Sequence, residues 1–138
     1  MTYQAAFEGV RGMLWFTYRW EGKSLPEADP RLWEEHLRII RELRELEPYL
    51  LSEGLGEETE VQSPKGKVRA KVRKAPDGSE LLIVLNTSRE EPEIARIRLP
   101  DANRRTIEVF GEEREGQARE GWIEERFDLL GVHIYRVK

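Results

Sequence analysis

Apolar and polar positions along this chain keep a helical rhythm at first and an alternating one later. Tyr3, Phe7 and Val10 recur at near-helical spacing, with Thr2 as a cap and Gly9 or Gly12 as a stop, which predicts a short helix. Next comes the most apolar and aromatic run in the chain, Gly12-Met13-Leu14-Trp15-Phe16-Thr17-Tyr18-Arg19-Trp20. It has the length of one strand, and its apolar character on both faces is that of a parallel strand covered by helices. Gly22, Ser24 and Pro26 break regular structure, so 21–28 is expected to be a loop.

Asp29-Pro30 is a strong helix start, because Asp accepts from free backbone N–H groups and Pro at the first helical position loses no needed donor. The helix is expected from about Arg31 to Ser52, with Trp33, Leu37, Ile40, Leu43, Leu46 and Leu50 as one apolar stripe. Glu34 with Arg38, Arg38 with Glu42, and Arg41 with Glu45 stand four residues apart on its wet face. Pro48 is expected to kink the helix or end its regular part, and Gly54 and Gly56 stop it.

The acidic connector from Glu57 to Glu60 is the best candidate for a domain boundary, because the period beyond it falls to two. Val68, Ala70 and Val72 alternate with Lys67, Arg69, Lys71 and Arg73, and Pro76-Asp77-Gly78 is a tight-turn signal. Leu81 to Leu85 is apolar on both faces and reads as a central strand. Ala95, Ile97 and Leu99 form another, Ile107 and Val109 a short one, and Trp122 to Phe127 and Val132 to Val137 finish the chain. Glu112 to Glu120 is expected to be a mobile charged stretch. The fold class expected is mainly β with one long helix (α+β). A helix-strand-helix unit over 1–56 precedes an antiparallel β-sandwich of five to seven strands over 57–138.

The 138 residues suffice for one domain of ordinary size. Charged residues make up 36% against the ~25% usual in soluble proteins, yet the net charge is only -4, which gives no reason to expect nucleic acid as a partner. The absence of cysteine excludes disulfides and thiolate chemistry. With no signal-peptide pattern and no apolar run of spanning length, the expectation is a cytoplasmic protein with no membrane partner. Abundant charge with scarce Met suits a heat-adapted source.

Candidate chemistry is sparse. There is no Gly-rich phosphate loop, no nucleophile elbow and no zinc-spaced cluster, so no catalytic residue, metal ligand or cofactor is assigned. Carboxylates are plentiful and most are expected on solvated faces. Arg19 and Trp20 lie at the C-terminal end of the aromatic run, and in a β/α barrel that end of a strand faces the active site. There the indole offers a flat face to a sugar ring and the guanidinium binds hydroxyls or a carboxylate; alternatively, Trp20 packs under the following loop. Trp122 has the same two readings, a sugar platform or closure of the core's edge, the second being favoured. His36 is expected to be packed or half-exposed on the helix. His133, between Val132 and Ile134, is expected on the outer face of the last strand without a carboxylate partner.

The order of parts resembles the last β/α unit of a retaining glycoside hydrolase barrel of the β-galactosidase type, followed by its small C-terminal sandwich. The resemblance rests on Gly12 to Trp20, on Leu32-Trp33-Glu34 opening a helix that reaches Leu46-Glu47-Pro48-Tyr49-Leu50-Leu51-Ser52, on Leu81-Leu82-Ile83-Val84-Leu85-Asn86, and on Gly131-Val132-His133-Ile134-Tyr135-Arg136. Enzymes of the α-amylase type carry similar terminal sandwiches. The resemblance implies carbohydrate as the substrate class, with Trp20 and Arg19 as part of a sugar-binding wall. It also implies that the two catalytic carboxylates belong to earlier barrel strands, so this chain alone is expected to be non-catalytic. A missing upstream barrel or a homo-oligomer is expected to cover residues 13–20. A free-standing β-sandwich module for binding or oligomerisation is the second reading.

Overall fold

The alternation of apolar and polar positions after Gly56 folds into two antiparallel sheets whose inner faces share one core. The computed structural model describes residues 2–14, 22–54, 56–99 and 105–138. Helices are α1 (Thr2–Phe7), α2 (Leu25–Ala28) and α3 (Pro30–Leu50). Strands are β1 (Glu57–Glu58), β2 (Val61–Gln62), β3 (Val68–Lys74), β4 (Glu80–Asn86), β5 (Glu93–Arg98), β6 (Ile107–Val109), β7 (Arg114–Glu115), β8 (Ala118–Arg119), β9 (Trp122–Phe127) and β10 (Val132–Val137). Among the described residues one sheet runs β1-β3-β4-β10-β6-β7 and the other β2-β5-β9-β8. The fold is mainly β with one long helix, an α+β arrangement built on an antiparallel sandwich.

Strand β4 explains the layering. Leu82 and Val84 face the second sheet, where Ala95, Ile97, Ile123 and Phe127 meet them. Leu81, Ile83 and Leu85 face the opposite way, against Ala6, Phe7, Leu46, Tyr49 and Leu50 of the helices. A strand buried on both faces needs the unbroken apolar run seen here. The expected boundary at 56/57 thus runs alongside a shared core, and Glu57 pairs with Val72 and Glu58 with Lys71 as an edge strand.

The basic positions of β3 are not the solvated face that alternation suggests. Lys71 is 7% exposed and Arg73 1%. Arg69 and Lys71 lie over the Phe7 ring at 4.8 and 4.6 Å, and the Lys71 ammonium donates to the Phe7 carbonyl at 2.9 Å. Arg73 donates to the carbonyls of Tyr49, Leu50 and Gly54 at 3.0, 3.0 and 3.1 Å. Carbonyls at a helix C-terminus lack intrahelical donors and carry partial negative charge, so cations are the partners they favour.

Helix α3 begins as expected, with the Asp29 carboxylate accepting from the Leu32 amide at 3.0 Å. It continues through Pro48 to Leu50, because the proline falls so near the end that few bonds are lost. Arg38 pairs with Glu35 and Glu42, whereas Glu45 leaves the helix surface to meet Arg136 of β10 at 3.0 Å. The stripe is buried only at its C-terminal end: Leu46, Tyr49 and Leu50 are in the core, while Trp33, Leu37 and Ile40 remain partly exposed and Leu32 is 45% exposed. The expected loop over 21–28 contains α2, started by Ser24, whose amide donates to Glu27 at 2.7 Å. Of the aromatic run, Met13 and Leu14 belong to neither helix nor strand and Leu14 is 80% exposed. Residues 15–20 lie outside the described residues.

Candidate functional site

The most distinctive side-chain cluster grows from a two-residue hairpin. Glu120 and Gly121 join β8 to β9 with φ of 52° and 78°, the left-handed pair of a type I′ turn. The turn sets Arg119 directly opposite Trp122. Ile123 and Phe127 point into the core, so Trp122, Glu124 and Arg126 point outward by the two-residue period. Strand β5 flanks β9 on its other side, with Arg98 opposite Trp122 and Arg96 opposite Glu124.

The Arg96 and Arg98 guanidinium carbons lie 5.2 and 5.3 Å from the Trp122 ring centroid, within cation–π range. Arg98 is held there by donating to the Glu120 carbonyl at 3.1 Å, and a Cβ on Gly121 would sit 3.1 Å from that guanidinium. Arg96 approaches Glu124 at 3.8 Å, a loose pair open to solvent. Beside the ring is a depression of about 360 Å³ lined by Arg96, Gln117, Arg119, Trp122 and Glu124. Its size falls within the ~300–1,000 Å³ of small-molecule sites. Trp122 therefore does not close the edge of the core: it stands half-exposed on the outer face between cations supplied by the two neighbouring strands.

His133 is a second correction. It shares a face with Tyr135 and Val137, turned between the sheets, and its ring meets Phe127 edge-on at 5.0 Å and stacks with Tyr135 at 6.4 Å. Its Nδ1 lies 3.2 Å from a Glu112 carboxylate oxygen. Arg114 joins Glu112 at 2.6 Å and Glu125 at 2.9 Å. The charged stretch expected to be mobile thus contributes β7 and β8, and its charges close the sandwich beside His133. Burial pushes the Tyr135 phenol well above its ordinary value. His36 lies on α3 with Nδ1 3.1 Å from the Leu32 carbonyl. Arg19 and Trp20, the sugar-wall candidates, lie outside the described residues.

The carboxylates with shifted acidity do not resemble a general acid, which needs its pKa raised. Glu27 is held low by hydrogen bonds from Ser24, and Asp77 by those from Ser79. Among the described residues no group of three His, Asp or Glu is placed to hold a metal. No family model and no curated protein matches the chain.

The Trp122 cluster was partly legible. Ala95, Ile97 and Leu99 inward put Arg96 and Arg98 outward, and Glu120-Gly121 carries a turn signal. The pairing of β5 with β9, which brings the two arginines to the indole, joins segments more than twenty residues apart and had no local signal.

Proposed function

We propose that this chain is a non-catalytic C-terminal domain or fragment of a carbohydrate-active enzyme of the glycoside hydrolase type. Its sandwich braces a barrel, and sugar contact runs through Trp20 with Arg19 beside it. The observation that carries the reading is the 21-residue helix α3, whose apolar stripe is buried by the sandwich only over its last turns. A helix from a barrel wall has this character, because its remaining face belongs against the neighbouring β/α units. The groove formed by Val10, Met13, Ile40, Leu43, Leu50 and Leu51 supports the same reading as a place where barrel elements pack.

The alternative is a free-standing module that uses this surface for self-association. It is favoured by the exposure of Val10, Leu14, Leu32 and Leu51, at 40, 80, 45 and 49%. Two measurements test the proposal. Purified chain should give no turnover of chromogenic glycosides, and the genomic frame upstream of Met1 should encode the other β/α units. Turnover that follows the purified chain, or an in-frame stop just upstream of Met1, overturns the proposal; a dimer by light scattering in the latter case selects the alternative.

A further inference from the structure

The outer face of the four-stranded sheet is basic in a protein whose net charge is -4. Outward positions of β5, β8 and β9 carry Arg96, Arg98, Arg119 and Arg126 against Glu124, and at the β2 edge Gln62, opposite Arg96, donates to the exposed Glu60 carboxylate at 3.2 Å. Arg96 lies 3.8 Å from Glu124 and Arg126 3.8 Å from Asp128, loose solvent-open pairs that leave the guanidinium groups able to take another anion. Arg119 is exposed and pairs with no carboxylate among the described residues. The indole at the centre offers an apolar, electron-rich surface.

We infer that this face binds a sugar ring bearing an anionic substituent, a uronate carboxylate or a sulfate ester, with the ring against Trp122 and the anion between Arg96 and Arg119. The inference rests on the carbohydrate reading above for its choice of sugar. Guanidinium groups bind carboxylate and sulfate oxygens through paired N–H donors, which fixes orientation as well as charge. A single-stranded nucleic acid fits less well: it needs successive stacking platforms along a groove, and Trp122 is the only aromatic on this face among the described residues.

The test is calorimetric titration of the whole chain with trigalacturonate, a sulfated carrageenan tetrasaccharide, cellotriose and a short oligodeoxythymidylate. One or both anionic sugars should bind, more weakly as salt is added, and cellotriose should not; which of the two binds distinguishes carboxylate from sulfate. Trp122→Ala and Arg119→Glu should each weaken binding about tenfold or more. Glu124→Gln should strengthen it, a gain that misfolding cannot produce. Unchanged circular dichroism and melting of Arg119→Glu confirm that its loss is local. Equal binding of cellotriose, tighter binding of the thymidylate, indifference to Arg119→Glu, or no binding of either anionic sugar overturns the inference. Each of these outcomes leaves the barrel-bracing role to its own tests.

Discussion

The Nε of Arg73 donates to the carbonyl of Tyr49 at 3.0 Å, fastening the end of α3 to the end of strand β3. The same guanidinium reaches Leu50 and Gly54, so one buried side chain serves three carbonyls. Its burial, with Arg11 nearby, lowers its pKa from the ordinary arginine value. Arg73→Leu should destabilise the fold by ~3 kcal/mol, since it strands buried acceptors. Arg73→Lys should recover only part, because an ammonium cannot match the spread of the fork. Urea denaturation of the variants checks this, and amide exchange should rise first at Leu50 to Ser52.

Anchoring of α3 by its last turns predicts a gradient. Leu46 is 1% exposed, so Leu46→Ala should cost ~2–5 kcal/mol. Leu37 is only partly buried, and Leu37→Ala should cost less than ~1 kcal/mol. Comparable losses in melting experiments would show that the first half of the helix is covered as well as the second.

Gly56 combines φ of +81° with a tight neighbourhood, where an added Cβ would sit 2.8 Å from the Val72 carbonyl oxygen. Gly56→Ala should destabilise by ~1–3 kcal/mol. Gly22→Ala, at a similar φ of +79° but in open space, should cost less. The two melting temperatures separate crowding from backbone strain.

Asp77 accepts from the Ser79 amide at 2.9 Å and hydroxyl at 2.6 Å, which holds its carboxyl below the ordinary range. A depressed folded-state pKa means that the carboxylate's contribution is complete above the unfolded value and vanishes as pH falls through the folded one. Asp77→Asn should therefore melt below the parent at neutral pH. The difference should shrink below an aspartate's ordinary ~3.9 as the parent protonates. A difference that grows in acid contradicts the assignment.

Sequence patterns revealed the sandwich because its signals are local. The period-two inward positions Val68, Ala70, Ile97 and Ile123, the Pro76-Asp77-Gly78 turn and the two-faced β4 all stand in the core or turn positions their spacing implies. The patterns failed where partners come from far along the chain. Nothing within β3 distinguishes an arginine in water from Arg73 under a helix end; the difference lies in Tyr49 and Leu50, over twenty residues away. His133 departs from its expected outer position for a related reason: its face is settled by Tyr135 and Val137, and its partner Glu112 sits in a stretch whose charge gives no sign of order. The usual burial of aromatics favours closure of the core's edge at Trp122, whereas the alternation with Ile123 turns it outward.

Strand β4 is a party wall between two greasy rooms, and neither room stands without it. Cutting the chain near Gly56 would strip the plaster from one side, laying Leu81, Ile83, Leu85 and Ile134 open to water. Any attempt to transplant the sandwich into another protein must carry the helices along, or furnish that wall with a new tenant.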